Sequence, residues 1–202
     1  LTGTGTPLTA TGTFTPSTGT VNYEGAGATT ITATTYNNLG AGTTSDAGAA
    51  VTYTLGGHTT VSGALTIGNA SSTNSDTLDH GATSNLTTGA VTVTSKGVWS
   101  NTGTGDVTLS GDVANAGTIT LDSGPTGCGQ ADDIVLTSST TVQRAWSGAG
   151  TFTLKDLAVS WMSHATGITT TSSTDNLNNT NWTFAACTNL VSGRIFTDEG
   201  TT

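Results

Sequence analysis

Short runs in which apolar residues alternate with threonine recur along the whole chain, and they limit what it can fold into. In the segment VTVT, Val91 and Val93 would point to one side of a strand and the two threonines to the other. The segment TITL repeats this pattern with Ile119 and Leu121. No segment combines a period near 3.6 with helix caps. We therefore expect an all-β chain with almost no helix.

The residue types support ordered strands over disorder. Threonine supplies 50 of the 202 residues and glycine 28, whereas only 8% are charged. Threonine is β-branched and favours strands, and glycine with Asn, Asp and Ser forms the turns between them. A disordered low-complexity chain would not keep the alternation. The strands predicted from this pattern include residues 20–23, 59–61 and 140–142.

Internal repetition favours parallel over antiparallel pairing. The chain contains neither Asn-Gly nor Asp-Gly, the strongest two-residue hairpin signals. Instead, the phrases TTVSGALTIG, GAVTVTSKGVW, GDVTLSGDVANAGTITL and GAGTFTLKDLAV share one template, at a spacing that drifts from roughly 17 to 30 residues, as in solenoid repeats. The prediction is a right-handed parallel β-solenoid with uneven coils. A β-sandwich is the alternative.

Two longer segments carry a family resemblance. They are GTFTPSTGTVNYEGAGATTITATTYNNL near the start and AWSGAGTFTLKDLAVSWMSHATGITTTSSTDNLNNTNWTF near the end. Both resemble coils of secreted bacterial cell-surface repeat proteins with parallel β-helix architecture. The resemblance implies an extracellular or cell-surface location and supplies no catalytic residues. It divides the chain into an N-terminal arm or strand (1–12), a β-solenoid (13–186) and a C-terminal strand or linker to a following module (187–202).

The charge balance excludes two classes of partner. The net charge is −9, and only four residues are basic. These are Lys96, Arg144, Lys155 and Arg194. Binding to nucleic acid phosphates or to an anionic membrane surface requires clustered Lys and Arg. The sequence also contains no apolar run of about 18 residues, so we expect no membrane insertion.

Catalytic and metal-binding motifs are missing. The three histidines are isolated, no His/Cys spacing fits zinc, and there is neither a nucleophile elbow nor a phosphate loop. We therefore expect a protein that is not an enzyme and has no cofactor. Structural Ca²⁺ is a weaker expectation at the densest oxygen sources. The candidate ligands are Asp76, Asp79, Asp132 and Asp133.

Modification candidates follow from the expected location. In an oxidising compartment, Cys128 and Cys187 would form a disulfide that closes a long loop, and the alternative is two buried thiols. Four Asn-x-Ser/Thr acceptor sequences are potential glycosylation sites. They begin at Asn69, Asn85, Asn178 and Asn181.

The residue pattern suggests two binding roles for the surface. Tryptophan would line a sugar-binding groove, although bulky residues more often fill or cap a core. The candidates are Trp99, Trp146, Trp161 and Trp182. Rows of Thr-x-Thr would suit ice, but we expect such a face to need an even coil length, and the spacing is uneven.

The sequence therefore favours a mechanical role. A solenoid ends in open strand edges, and exposed edges recruit other strands. We expect a subunit or repeated module of an extracellular filament or surface layer, which contacts copies of itself or neighbouring modules through its terminal strands. The assembly residues would be Leu1, Leu8, Ile195 and Phe196. The alternatives are a passive stalk module of a large adhesin and a carbohydrate-binding domain.

Overall fold

The computed structural model describes residues 1–9, 14–44, 48–124 and 133–185. Within these ranges the regular structure consists of strands, and every strand pair is parallel. The all-β parallel solenoid is therefore confirmed and the β-sandwich is wrong. The right-handed winding stays a prediction. No helix of the described residues has the length and hydropathy that a membrane crossing requires.

The strands stack into three faces, which the chain visits in turn on each coil. The first face contains β1 (Thr20–Tyr23), β4 (Asn38–Ala41), β7 (Leu65–Ile67), β10 (Val91–Val93), β13 (Val113–Asn115), β16 (Arg144–Ser147) and the start of β19 (Met162–Thr171). The second contains β2 (Thr29–Ile31), β5 (Thr52–Leu55), β8 (Asp76–Asp79), β11 (Gly97–Asn101), β14 (Thr118–Asp122), β17 (Thr151–Lys155) and the end of β19. The third contains β3 (Thr35–Tyr36), β6 (Thr59–Val61), β9 (Leu86–Thr88), β12 (Val107–Leu109), β15 (Ile134–Ser138), β18 (Leu157–Ser160) and β20 (Thr174–Asp175). A last strand, β21 (Thr180–Ala185), pairs with β19.

The coils differ in length, but the pairing between strands stays in register. Val91 pairs with Leu65 on one side and Val113 on the other, which gives successive coils of 26 and 22 residues. Val113 pairs with Trp146 after 33 residues, and Trp146 pairs with His164 after 18. Because the strands themselves are short and similar, the surplus residues lie in the connections at the corners.

Alternate residues of most strands point inward and form one continuous core. The stacked coils bury Ile119 on Trp99, Val91 on Leu65 and Val107 on Leu86. Each coil thus covers the apolar side chains of the one before it, which is how a solenoid replaces a single compact core.

A column of glycines lets the coils approach at the corner between the third and first faces. A Cβ built on Gly89 would lie 1.9 Å from the carbonyl oxygen of Gly63 in the preceding coil. A Cβ on Gly111 would lie 2.4 Å from the backbone nitrogen of Ala90. Any larger side chain would collide with backbone at these positions, so glycine is required by space.

Polar side chains support the backbone where the third face begins. The Asn85 N–H donates to Nδ1 of His58 (3.0 Å), and the Asp106 N–H donates to Oδ1 of Asn85 (2.9 Å). The Val135 N–H donates to Oδ1 of Asp106 (3.0 Å). Each of these side chains therefore accepts a backbone N–H of the next coil, and this N–H has no partner in the described sheet.

Candidate functional site

The tryptophans form an interior column. The rings of Trp99 and Trp146 stack with centroids 6.3 Å apart, and Trp182 meets Trp146 edge-on at 5.5 Å. Trp99 and Trp146 are at most 1% exposed. A sugar cannot reach these two rings without opening the core, so the interpretation of them as core residues is confirmed. Only Trp161 and Trp182 are half-exposed.

His80 occupies an inward position beside this column and is fully buried. Its Nε2 accepts the indole N–H of Trp99 at 2.9 Å, and its Nδ1 lies 3.1 Å from the carbonyl oxygen of Ser84. Because Nε2 is an acceptor, Nδ1 carries the proton and donates to Ser84. Burial lowers the pKa of His80 to about 4. The imidazole is therefore a neutral structural linker in the core.

The neutral state of His80 makes stability depend on pH. The folded pKa lies below the unfolded value of 6.5, so the unfolded chain takes up a proton first as the pH falls. The contribution is complete above pH 6.5 and is lost toward pH 4, up to about 3 kcal/mol. We expect His80→Gln to reduce the loss of unfolding free energy across this window in urea titrations, relative to wild type. Val98→Ala, on the outside of β11, should leave this loss unchanged. If the free energy of unfolding falls as steeply with decreasing pH in His80→Gln as in wild type, this assignment is wrong.

The three described carboxylates proposed for Ca²⁺ lie in different surroundings. Asp76 is buried and its Oδ1 accepts the Val51 N–H at 2.9 Å, whereas Asp79 lies on the outside of the same strand. Asp133 is buried at the start of β15, and Asp132 lies outside the described residues. Across the described ranges, no three His, Cys, Asp or Glu side chains form a group able to hold a metal ion.

The Lys155 side chain places an ammonium group among three oxygen atoms. Lys155 Nζ lies 3.2 Å from Oδ1 of Asp122, 3.0 Å from Oδ2 of Asp156 and 2.6 Å from the carbonyl oxygen of Gly124. Hydrogen bonding to Asp156 raises the pKa of Lys155. Asp122 and Lys155 are register partners on β14 and β17, so this ion pair joins two coils.

The predicted modification sites differ in accessibility. Asn69 and Asn85 are half-buried, and their side chains accept the N–H groups of Ser71 and Asp106. Asn181, in β21, is exposed and donates to the carbonyl oxygen of His164, and Asn178 is exposed on the loop before that strand. Cys128 and Cys187, proposed as a disulfide, lie outside the described residues.

The N-terminal residues 1–9 form an additional rung below the first coil. The Glu24 N–H donates to the carbonyl oxygen of Leu1, and Gly5 makes a parallel bridge to Thr29 of β2. The carbonyl oxygen of Leu8 accepts the Thr32 hydroxyl, and the Leu8 side chain packs against the core. Within the predicted N-terminal arm or strand, residues 1–9 are therefore held on their own coil by hydrogen bonds to the backbone of the first coil.

The other described end consists of β21 and β20. β21 pairs with β19 along one edge, and no described strand pairs with its second edge. The Trp182 indole N–H is buried but has no acceptor among the described residues. Ile195 and Phe196, the assembly residues proposed for this end, lie outside those residues.

The described surface also contains one shallow pocket of about 350 Å³ on the first face. Hydroxyl and amide groups of Thr20, Asn22, Asn38 and Thr43 line it. No carboxylate, imidazole or amine belongs to the described residues that form its wall, so it offers no group for general acid–base chemistry.

Comparisons with protein-family models, with curated proteins and with solved structures found no match for this chain. The resemblance to bacterial surface proteins therefore has support in the parallel solenoid fold alone.

Proposed function

We propose that this chain is a non-enzymatic, extracellular structural protein that assembles through its terminal strands into a surface filament or layer. The observation that carries the proposal is the rung formed by residues 1–9. Gly5 continues the second face in the same direction as β2. At the opposite end, β21 continues that face beyond β19. One molecule can therefore stack on another without reversing the direction of its strands.

Backbone groups at both ends support this proposal. Gly5 directs its N–H and carbonyl group toward β2, where they bond Ala28 and Thr30. The backbone N–H and carbonyl groups of Thr4 and Thr6 have no hydrogen-bond partner among the described residues. The β21 end of a second molecule would satisfy them, and the first rung would bring carbonyl groups to the end at which the indole N–H of Trp182 lacks an acceptor.

Head-to-tail stacking of this kind joins two different surfaces and does not close. It produces fibres that lengthen by addition of whole solenoids. The passive stalk of a large adhesin uses the same fold without contact between separate chains. A carbohydrate-binding domain is the weaker alternative, because Trp99 and Trp146 are buried.

Deleting residues 1–8 tests the role of the first rung. We expect the deletion to abolish polymers in light scattering and electron microscopy while circular dichroism keeps its β signal. Since the deletion also uncovers β1 and β2, a point variant gives a cleaner result. Thr4→Pro removes an N–H that has no partner among the described residues and leaves both bonds of Gly5 in place.

The matched control is Thr4→Val, which keeps the N–H group and a β-branched side chain. We expect Thr4→Pro to lower the amount of polymer strongly and Thr4→Val to leave it unchanged. Polymers that form equally in wild type, in Thr4→Pro and in the deletion variant would contradict the proposal.

A further inference from the structure

The outer surface of the second face is a regular grid of hydroxyl groups. Five adjacent strands, β5, β8, β11, β14 and β17, each contribute two outward residues separated by one inward residue. The strand pairing aligns them in two columns without a register shift. The first column is Thr52, Thr77, Val98, Thr118 and Thr151, and the second is Thr54, Asp79, Ser100, Thr120 and Thr153.

The regularity of this grid does not depend on even coils. Although the uneven spacing predicted an irregular face, the unequal coil lengths do not disturb the strand register here. The coil from Thr118 to Thr151 has 33 residues and that from Val98 to Thr118 has 20, yet their strands pair in register. The corners absorb the surplus, so the face keeps the sheet spacing of about 4.8 Å between strands.

The groups on the grid suit a neutral, ordered layer of water. Asp79 carries the only charge among its ten positions. The hydroxyl groups of its seven threonines have no hydrogen-bond partner among the described residues, so they are directed to solvent. Threonine holds a methyl beside its hydroxyl and is stiff at χ1, and Val98 replaces only the hydroxyl.

Other ligands fit the grid less well. Crystalline polysaccharides bind through exposed aromatic rings, and the aromatic residues of these five strands, Tyr53, Trp99 and Phe152, point inward. Charged minerals require rows of charge that the grid does not have. The grid places hydroxyl groups about 4.8 Å apart across strands and about 6.6 Å apart along them, a two-dimensional repeat on the scale of the oxygen lattice of ice.

We propose that the second face binds ice through this threonine grid. The proposal is independent of assembly through the terminal strands, because it concerns a side face of the single solenoid. It predicts that the monomeric chain enters slowly growing polycrystalline ice and produces a difference between the melting and freezing points of a held crystal.

The test places a bulky side chain at the centre of the grid. Thr120→Tyr replaces an outward residue of β14, and Thr118→Tyr is a second variant in the other column. The matched control is Thr108→Tyr at the outward position of β12 on the third face, where threonines of neighbouring coils also align. Circular dichroism spectra and melting temperatures are measured for all four proteins, so that only variants folded like wild type are compared.

We expect wild type and Thr108→Tyr to be enriched in the ice fraction, and both Thr120→Tyr and Thr118→Tyr to lose incorporation and the freezing difference. Exclusion of wild type from ice, to the same extent as a protein without ice affinity, would overturn the proposal. Equal loss in Thr108→Tyr and Thr120→Tyr would overturn the assignment to the second face.

Discussion

Replacing Gly89 with alanine is expected to destabilise the solenoid by about 3 kcal/mol or more, near the upper end of overpacking costs. The new Cβ would lie 1.9 Å from the carbonyl oxygen of Gly63, and both atoms belong to backbone that the parallel sheet holds in place. Relief requires the two coils to separate, which breaks hydrogen bonds such as that from the Gly89 N–H to Val61. Urea unfolding followed by circular dichroism measures this change.

Gly19→Ala is the matched control. A Cβ there would lie 3.6 Å from the carbonyl oxygen of Pro16, an ordinary contact, and Gly19 does not adopt a positive φ. We expect its free energy of unfolding to change by less than about 1 kcal/mol, because alanine also reduces the entropy of the unfolded chain. Equal stability of the two variants would contradict the stacking of Gly63 and Gly89 at this corner.

Replacing Trp99 with alanine is expected to destabilise the protein by about 3–5 kcal/mol, as for other buried aromatic residues. The substitution leaves a cavity between Leu78 and Ile119, removes a stacking partner of Trp146 and leaves Nε2 of His80 without its donor. Calorimetry and urea unfolding measure the loss. Val98→Ala, on the outside of the same strand, should change stability by less than about 1 kcal/mol.

Trp99→Phe separates packing from hydrogen bonding. The ring remains, whereas Nε2 of His80 becomes a buried acceptor without a donor, at a cost of about 1–3 kcal/mol. If Trp99→Phe is as stable as wild type, the hydrogen bond between Trp99 and His80 does not contribute as described.

The fold could be predicted from the sequence because alternation and register are local properties. The inward sets of Val91 with Val93 and of Ile119 with Leu121 are buried as expected, and β6 has the predicted bounds. The strand expected at residues 140–142 is absent, and Val142 is 58% exposed. Apolar character alone could not show that this segment belongs to a corner.

Other elements lacked a local signal. β13 and β16 contain the segments VAN and RAWS, whose polar and small residues conceal a strand that pairing with neighbouring coils imposes. The bond between His80 and Trp99 joins residues 19 positions apart, so only the stacking of coils brings them together. The sequence offers one indication of this role. His80 follows Leu78 by two positions and therefore continues the inward-facing set of β8.

The N-terminal rung was the least predictable feature of the candidate assembly site. A segment rich in Thr and Gly without charge fits a flexible arm as well as a rung. What distinguishes the two is the set of backbone groups on β1 and β2 that Leu1 and Gly5 satisfy. Such partners belong to the assembled coil and cannot be read from the segment itself.

Assembly through the terminal strands is tested most directly by electron microscopy of the purified chain, with a denatured mass taken on the same sample. We expect unbranched filaments of a chain of about this mass, with a repeat of about 4.8 Å along the fibre axis from parallel strands stacked across it. Single particles that remain monomeric at the highest attainable concentration would contradict it.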